Sequence, residues 1–280
     1  MKNFLTRSLT GVFIVLIVAG GTLLHPVTFF LVQLVILTGS MYEYYRLIEN
    51  ESVRPFKIAG ILTAVAIYIL SAAVASGSVS AGWYLLLAPV IPALMIAQLF
   101  RGNDRPVESI AHTILALGYI AIPWAMVPFA SFGNESIGAI IPGDISGFTP
   151  GPLMALFILL WSNDTGAYLV GISFGKHRLF ERISPKKSWE GFFGGVLLTV
   201  VAAWLISPFF GITSTAGWIV IALLVSVAGT FGDLVESMIK RSAGVKDSGS
   251  IMPGHGGFLD RFDSVLFAWP MVFLFITFFG

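Results

Sequence analysis

The chain has no cysteine, and only 11% of its 280 residues are Asp, Glu, Lys or Arg. The first absence excludes disulfides and thiolate metal sites, although it says little about compartment. The second excludes a soluble core wrapped in a polar surface, because 56% of the residues are hydrophobic and the mean hydropathy is +0.88. Internal repeats, low-complexity tracts and long linkers are also missing. One membrane domain, residues 1–280, is the simplest organisation: helices in 1–150 supply scaffold and oligomer contacts, and 151–280 carries the chemistry. The net charge of +1 favours no particular partner, and no nucleic acid is expected.

What remains is a polytopic, all-α integral membrane protein. An apolar run of about 17 to 25 residues can cross the hydrocarbon layer as a helix. Nine such runs are present, at 8–24, 27–46, 57–76, 82–100, 109–131, 152–174, 191–210, 216–238 and 264–279. Charge placement tests the count, since orientation follows the excess of Lys and Arg in short cytoplasmic loops. All 16 Lys and Arg residues fall before the first span or around the second, fourth, sixth and eighth loops. The N-terminus is therefore expected in the cytoplasm and the C-terminus on the opposite side. The same one-sided charge suits anionic lipid headgroups.

The first run has a basic start, but Leu23, Leu24, His25 and Pro26 offer no cleavage pattern, so it reads as an anchor. Asn134, Glu135 and Ser136 match a glycosylation triplet on the outer side, a pattern short enough to occur by chance.

Ionisable residues are concentrated in the second half of the chain, where burial in lipid makes each one costly. Two cytoplasmic loops, 175–191 and 239–263, hold most of them. Asp164 interrupts the sixth span about ten residues from its cytoplasmic end, roughly 15 Å deep at the helical rise of 1.5 Å per residue. The ordinary reading is an interhelical hydrogen bond, which suits Asn163 and Thr165. An intramembrane carboxylate is a functional candidate, and Asp164 is expected to line a hydrated cavity. In the eighth span Asp233, Glu236 and Lys240 share a helical face, with Glu236 and Lys240 spaced for a self-neutralising ion pair. Gly229 and Gly232 flank Asp233 and permit close approach by a neighbour.

Downstream, Gly254, Gly256 and Gly257 suit tight turns and contact with phosphate, and Asp260 and Asp263 would share a face if a helix begins there. A hard divalent cation such as Mg²⁺ takes carboxylate oxygens together with substrate phosphates, a role that fits Asp233 and Asp260. Lys240, Arg241, Lys246 and Arg261 would neutralise the remaining phosphate oxygens. Singly each could be a positive-inside anchor; as an array with three Asp and a His they point to phosphate chemistry. His255 reads first as a phosphate donor, with general base and turn residue as the other options, because phosphoryl and nucleotidyl transfer depend chiefly on positioning and charge.

Ser237, Lys240, Arg241, Lys246, Asp247, Pro253, His255, Gly256, Gly257, Asp260, Arg261 and Asp263 together resemble the signature of the phosphatidate cytidylyltransferases, or CDP-diacylglycerol synthases. Met252 departs from the usual Leu, Ile or Phe. Asn163 to Thr165, Gly175, Lys176 and Ser184 to Gly191 resemble a second region of that family, so the likeness covers 160–264. It implies a bacterial-type cytoplasmic-membrane enzyme, with its site facing the cytoplasm, that condenses CTP with phosphatidic acid. Asp233 and Asp260 would hold Mg²⁺, and the basic residues with Asp247, His255 and Asp263 would complete the catalytic set. Asp164, Lys186, Lys187, Ser188, Ser237, Gly256 and Gly257 would bind substrate, Lys187 at the nucleotide phosphates. A monovalent cation such as K⁺ and a homodimer are further implications of the resemblance.

Rival readings are a CTP-dependent enzyme acting on another lipid phosphate and an anion transporter. A transporter commonly shows broken helices in two repeated halves, whereas here the polar residues sit in one half and on one side. A structural subunit would leave the charged constellation unexplained.

Overall fold

The computed structural model describes residues 2–132, 148–249 and 256–280, with side chains from Gly11 onward. The Asn134 to Ser136 triplet and the signature's Pro253 and His255 lie outside the described residues. The protein is helical, and eight described segments are long and apolar enough to cross a membrane. A ninth segment, α1 (Lys2–Leu23), is also helical, and its described apolar part is Gly11–Leu23. The polytopic all-α reading therefore holds.

The helices pack as two compact units, 1–129 with 247–262, and 130–246 with 263–280. In the first unit α1 is followed by α2 (Pro26–Ile48) and α3 (Lys57–Ala75). A 3₁₀ turn (Ala81–Leu87) and α4 (Val90–Leu99) form the next span, and α5 (Pro106–Ala116) begins another. His25 starts α2 by accepting from the Val27 N–H through Nδ1 at 3.1 Å, with Pro26 at a position that needs no N–H donor. The segment Pro106–Ser131 is not one regular helix: a π turn (Leu117–Ala121) precedes α6 (Ile122–Ala125) and α7 (Val127–Ser131). Pro123 lies just after the π turn, where its ring cannot continue a regular ladder.

The core of this unit is aromatic. Tyr44, Tyr45, Tyr68, Phe29 and Trp124 are buried, and the polar ends of Tyr44, Tyr45 and Trp124 find partners. The Tyr45 hydroxyl donates to the Thr113 carbonyl at 3.1 Å, and Trp124 Nε1 donates to the Gln33 carbonyl at 2.9 Å. Gly60 gives Tyr45 its space, since any Cβ there would collide with the phenol ring.

The second unit contains α8 (Gly151–Phe174), a short hairpin of β1 (Arg178–Phe180) and β2 (Ser184–Ser188), α9 (Trp189–Phe210) and α10 (Thr215–Ser242). Helices α8 and α9 meet along a seam of small residues. A Cβ on Gly166 would sit 2.6 Å from the Gly194 carbonyl oxygen, and one on Gly195 would sit 2.7 Å from Asn163 Oδ1. In lipid, where burying apolar surface drives no association, such close backbone approach supplies the packing energy. Ser188 and Ser214 cap α9 and α10 by accepting from the N–H groups of Gly191 and Gly217, each at 3.1 Å.

Helix α11 runs Leu259–Phe279 and starts five residues before the apolar run that marks it in the sequence. Helix α10 likewise outlasts its apolar run and carries Lys240 and Arg241 on its final turns. Both extensions convert residues expected in a loop into residues on helix ends, where spacing fixes orientation.

Candidate active site

In the second unit the hairpin is held at its base. Glu190 accepts from the backbone N–H groups of Lys176 and His177, and its Oε1 lies 2.6 Å from His177 Nδ1. The Trp189 N–H donates to the His177 carbonyl at 2.9 Å, and the strands pair antiparallel with Arg178 opposite Ser188. This clamp fixes the strand that carries Lys186 and Lys187. Lys186 is exposed, whereas Lys187 Nζ reaches α10 and lies 2.5 Å from Asp233 Oδ2.

Gly232 explains why Asp233 has a second neighbour. A Cβ at this position would sit 2.7 Å from the Asp263 carbonyl oxygen and 3.1 Å from the Ser264 Cα, so α10 and α11 touch backbone to backbone there. Asp263, buried, thereby comes within the electrostatic reach of Asp233, Lys187 and Lys240. Its Oδ1 accepts from the Ser264 N–H at 2.5 Å. One helical turn beyond Asp233, Glu236 and Lys240 are buried and form an ion pair. The result is two carboxylates and two ammonium groups in one small region, with a further acid alongside.

The remaining candidates of this unit take separate positions. Ser188 is the buried cap of α9, and Ser237 is buried on α10. Arg241 is exposed and closes α10 by donating to the Val245 carbonyl at 2.9 Å, while Lys246 is exposed. Asp164 is exposed on α8, ten residues before Phe174, next to the buried Asn163.

In the first unit the signature's other residues form a clasp. Asp260 Oδ2 accepts from the Ser248 N–H, the Ser248 hydroxyl and the Gly257 N–H, each at 2.9 Å. Gly256 adopts φ +82° and a Cβ there would lie 2.7 Å from that same oxygen, so both its conformation and its neighbour require glycine. Gly257 is buried, and Asp247 and Arg261 are exposed. A residue that the sequence reading passed over, Glu43 of α2, completes the clasp. Its Oε2 accepts from the Leu259 N–H at 2.9 Å and lies 3.0 Å from the Ser248 hydroxyl, whose single proton is shared between Glu43 and Asp260. The signal was available as a lone acid in the second apolar run, 27–46.

Among the described residues no three His, Asp or Glu side chains gather into a metal-binding group. The donors present are hard carboxylate oxygens in small number, which fits a divalent cation that completes its shell with water and substrate phosphate rather than an all-protein cage. Asp233 is partly open, with its side chain 37% exposed, so a phosphate-bound cation has access to it.

Comparison with known proteins agrees with this chemistry. The family model described as "Cytidylyltransferase family" matches residues 5–279. A phosphatidate cytidylyltransferase of Staphylococcus epidermidis is 45% identical over 122 residues, which covers 43% of this chain and 46% of that protein. That match thus spans about half the length of its curated relative. Two others extend further: the phosphatidate cytidylyltransferase of Synechocystis, 32% identical over 88% of this chain and 87% of its own, and that of Staphylococcus haemolyticus, 29% identical over 95% and 96%. With the match running almost from end to end, the chain belongs to the cytidylyltransferase family.

Proposed function

We propose that the protein is a phosphatidate cytidylyltransferase that transfers CMP from CTP to phosphatidic acid. An oxygen of the lipid phosphate attacks the α-phosphorus of CTP, the bond to the β-phosphate bridging oxygen breaks, and pyrophosphate leaves with that electron pair. The nucleophile is already an anion, so the protein needs no strong base. Its task is to hold two polyanions together against their repulsion and to stabilise the charge that builds on the leaving group.

The observation that carries this reading is the meeting of Lys187, Asp233, Asp263 and Lys240 on three chain segments of one unit. A purely structural role would be served by neutral packing at far lower desolvation cost. Lys187, on a clamped strand and partly exposed, is placed to exchange its carboxylate partner for a nucleotide phosphate. Lys240 pairs with Glu236 and lies within electrostatic reach of Asp263. Arg241, Lys246 and Arg261, all exposed, offer further positive charge to the phosphates or the lipid headgroup. His255 is proposed as a phosphate donor on the signature alone.

Asp233 and Asp260 are each proposed as carboxylate ligands for Mg²⁺, a role drawn from the sequence pattern of acids in or beside the eighth and ninth spans, of which only Asp260 belongs to the signature. When bound, Mg²⁺ supplies Lewis-acid charge neutralisation at the reacting phosphates. The charge distribution along the chain supports a site on the cytoplasmic face, and the family resemblance supports a homodimer and a monovalent cation beside Mg²⁺. A radiolabelled CTP assay of the purified protein against a panel of lipid phosphates tests the reading. Label appearing in CDP-diacylglycerol with phosphatidic acid is the expected result, and label transferred only to another lipid phosphate, or to none, refutes it.

A further inference from the structure

Glu43 is 1% exposed near the end of an apolar helix, a costly place for an acid. Among the described residues no Lys or Arg forms an ion pair with it. Its charge is instead met by hydrogen bonds at one oxygen, from the Ser248 hydroxyl and from the Leu259 N–H. Leu259 is the first residue of α11, so Glu43 satisfies one of the orphan donors at that helix start and places negative charge at the positive end of its dipole. A cap borrowed from another helix ties the start of α11 to α2.

Two further contacts make the fit specific. A Cβ on Gly249 would lie 2.5 Å from Glu43 Oε1, and a Cβ on Gly257 would collide with the same carboxylate. The backbone at Gly249 and at Gly257 is thus held against Glu43 by the lack of side chains. Ser248 is the bridge, since its hydroxyl stands 3.0 Å from Glu43 Oε2 and 2.9 Å from Asp260 Oδ2. With Leu259 adjacent to Asp260 in sequence, Glu43 touches two of the groups that set the Asp260 carboxylate, its backbone neighbour and its hydrogen-bonding hydroxyl, beside the Ser248 and Gly257 N–H groups.

We infer that Glu43 is a positioning residue for the transfer reaction, which orients Asp260 through Ser248 and the first N–H of α11. The inference rests on the cytidylyltransferase reading for its kinetic consequences but not for its structural ones. Glu43 itself touches no substrate. Removing an outer partner of this kind commonly lowers activity by about 10- to 100-fold.

The test uses the full-length protein in detergent, with Glu43→Ala, Glu43→Gln and Ser248→Ala. Three quantities are read: kcat and KM for CTP with phosphatidic acid, the melting temperature, and hydrogen–deuterium exchange of peptides covering 256–263. Glu43→Ala is expected to lower kcat by about 100-fold with KM for CTP within about threefold, and to speed exchange at 256–263. Glu43→Gln keeps an oxygen acceptor and is expected to recover most of the exchange protection and part of kcat. Combining Glu43→Gln with Ser248→Ala should cost less than the product of the two single losses, because the Ser248 contact is common to both and the Gln amide oxygen still accepts from the Leu259 N–H. Wild-type kcat in Glu43→Gln and Ser248→Ala together with unchanged exchange overturns the inference, as do losses in the double variant that simply multiply. Should Glu43→Ala fail to fold, those two variants decide. A wild-type protein without transfer activity overturns the proposed function instead, and the exchange measurements then still judge the clasp.

Discussion

Lys187 of β2 and Asp233 of α10 meet with Nζ 2.5 Å from Oδ2, which joins the hairpin to the helix that carries Asp233 and Glu236. Their side chains are 30% and 37% exposed. An ion pair that open contributes at most about 1 kcal/mol to stability, since water and salt screen it. The pair therefore matters less for holding the fold than for keeping a cation and an anion ready at one point.

Lys187→Met should accordingly leave the melting temperature within a few degrees of wild type while lowering kcat/KM for CTP by about 100-fold, mostly through KM, if the ammonium binds nucleotide phosphate in both ground and transition states. Steady-state kinetics at varied CTP decide this. A variant with unchanged KM and reduced kcat would move Lys187 from binding to transition-state stabilisation.

Gly232 offers a test of the backbone contact that brings Asp263 beside Asp233. Gly232→Ala places a methyl 2.7 Å from a carbonyl oxygen and 3.1 Å from a Cα, atoms that cannot rotate away. The helices must separate, at a cost of about 1–3 kcal/mol. Melting in detergent should fall and kcat should fall with it. Gly244→Ala is strained for a different reason, its positive φ of 72°, and a Cβ there meets no other atom within 4 Å. It should lower stability without a matching loss of kcat.

The Glu236–Lys240 pair behaves differently because it is buried. Lys240→Met takes away the ammonium beside a fully buried acid, a change that costs about 3–5 kcal/mol in comparable sites. Glu236→Gln combined with Lys240→Met should regain most of that stability, measured by thermal melting. Activity of the double variant then reports what Lys240 does for the reaction apart from the fold. A double variant no more stable than Lys240→Met would show that the two residues do not balance each other.

The membrane spans were legible because apolar runs and the alternation of basic residues depend only on local composition. Their ends were not. Helices α10 and α11 extend into charged sequence, where Lys240 and Arg241 suit a helix C-terminus and Asp260 suits an N-terminus, so the apolar stretch ends before the helix does. Of the site, the signature named Lys240, Asp260 and Asp263, and the helical face shared with Glu236 and Lys240 pointed to Asp233. Neither showed which carboxylates are neighbours: Asp233 sits beside Asp263 because of Gly232, a tertiary fact. The short β hairpin was hidden because its strands are three and five residues long and rich in charge. Glu43 was hidden for the opposite reason. Its neighbours in sequence are the ordinary aromatics Tyr42 and Tyr44, and its partners Ser248 and Leu259 lie more than 200 positions away.

Asp260 carries two roles that one substitution can separate. Its Oδ2 holds Ser248 and Gly257 by three hydrogen bonds, a function that the amide oxygen of Asn can reproduce. As a ligand for Mg²⁺ the residue needs its anionic carboxylate, and an amide nitrogen does not bind a hard cation. Asp260→Asn is therefore expected to keep the melting temperature and the exchange protection of 256–263 while abolishing CTP-dependent transfer. Asp260→Ala should lose both. Wild-type activity should vanish in EDTA and return on adding Mg²⁺. An active Asp260→Asn variant, or full wild-type activity in EDTA, would remove Asp260 from the metal site and leave it as the clasp of α11 alone.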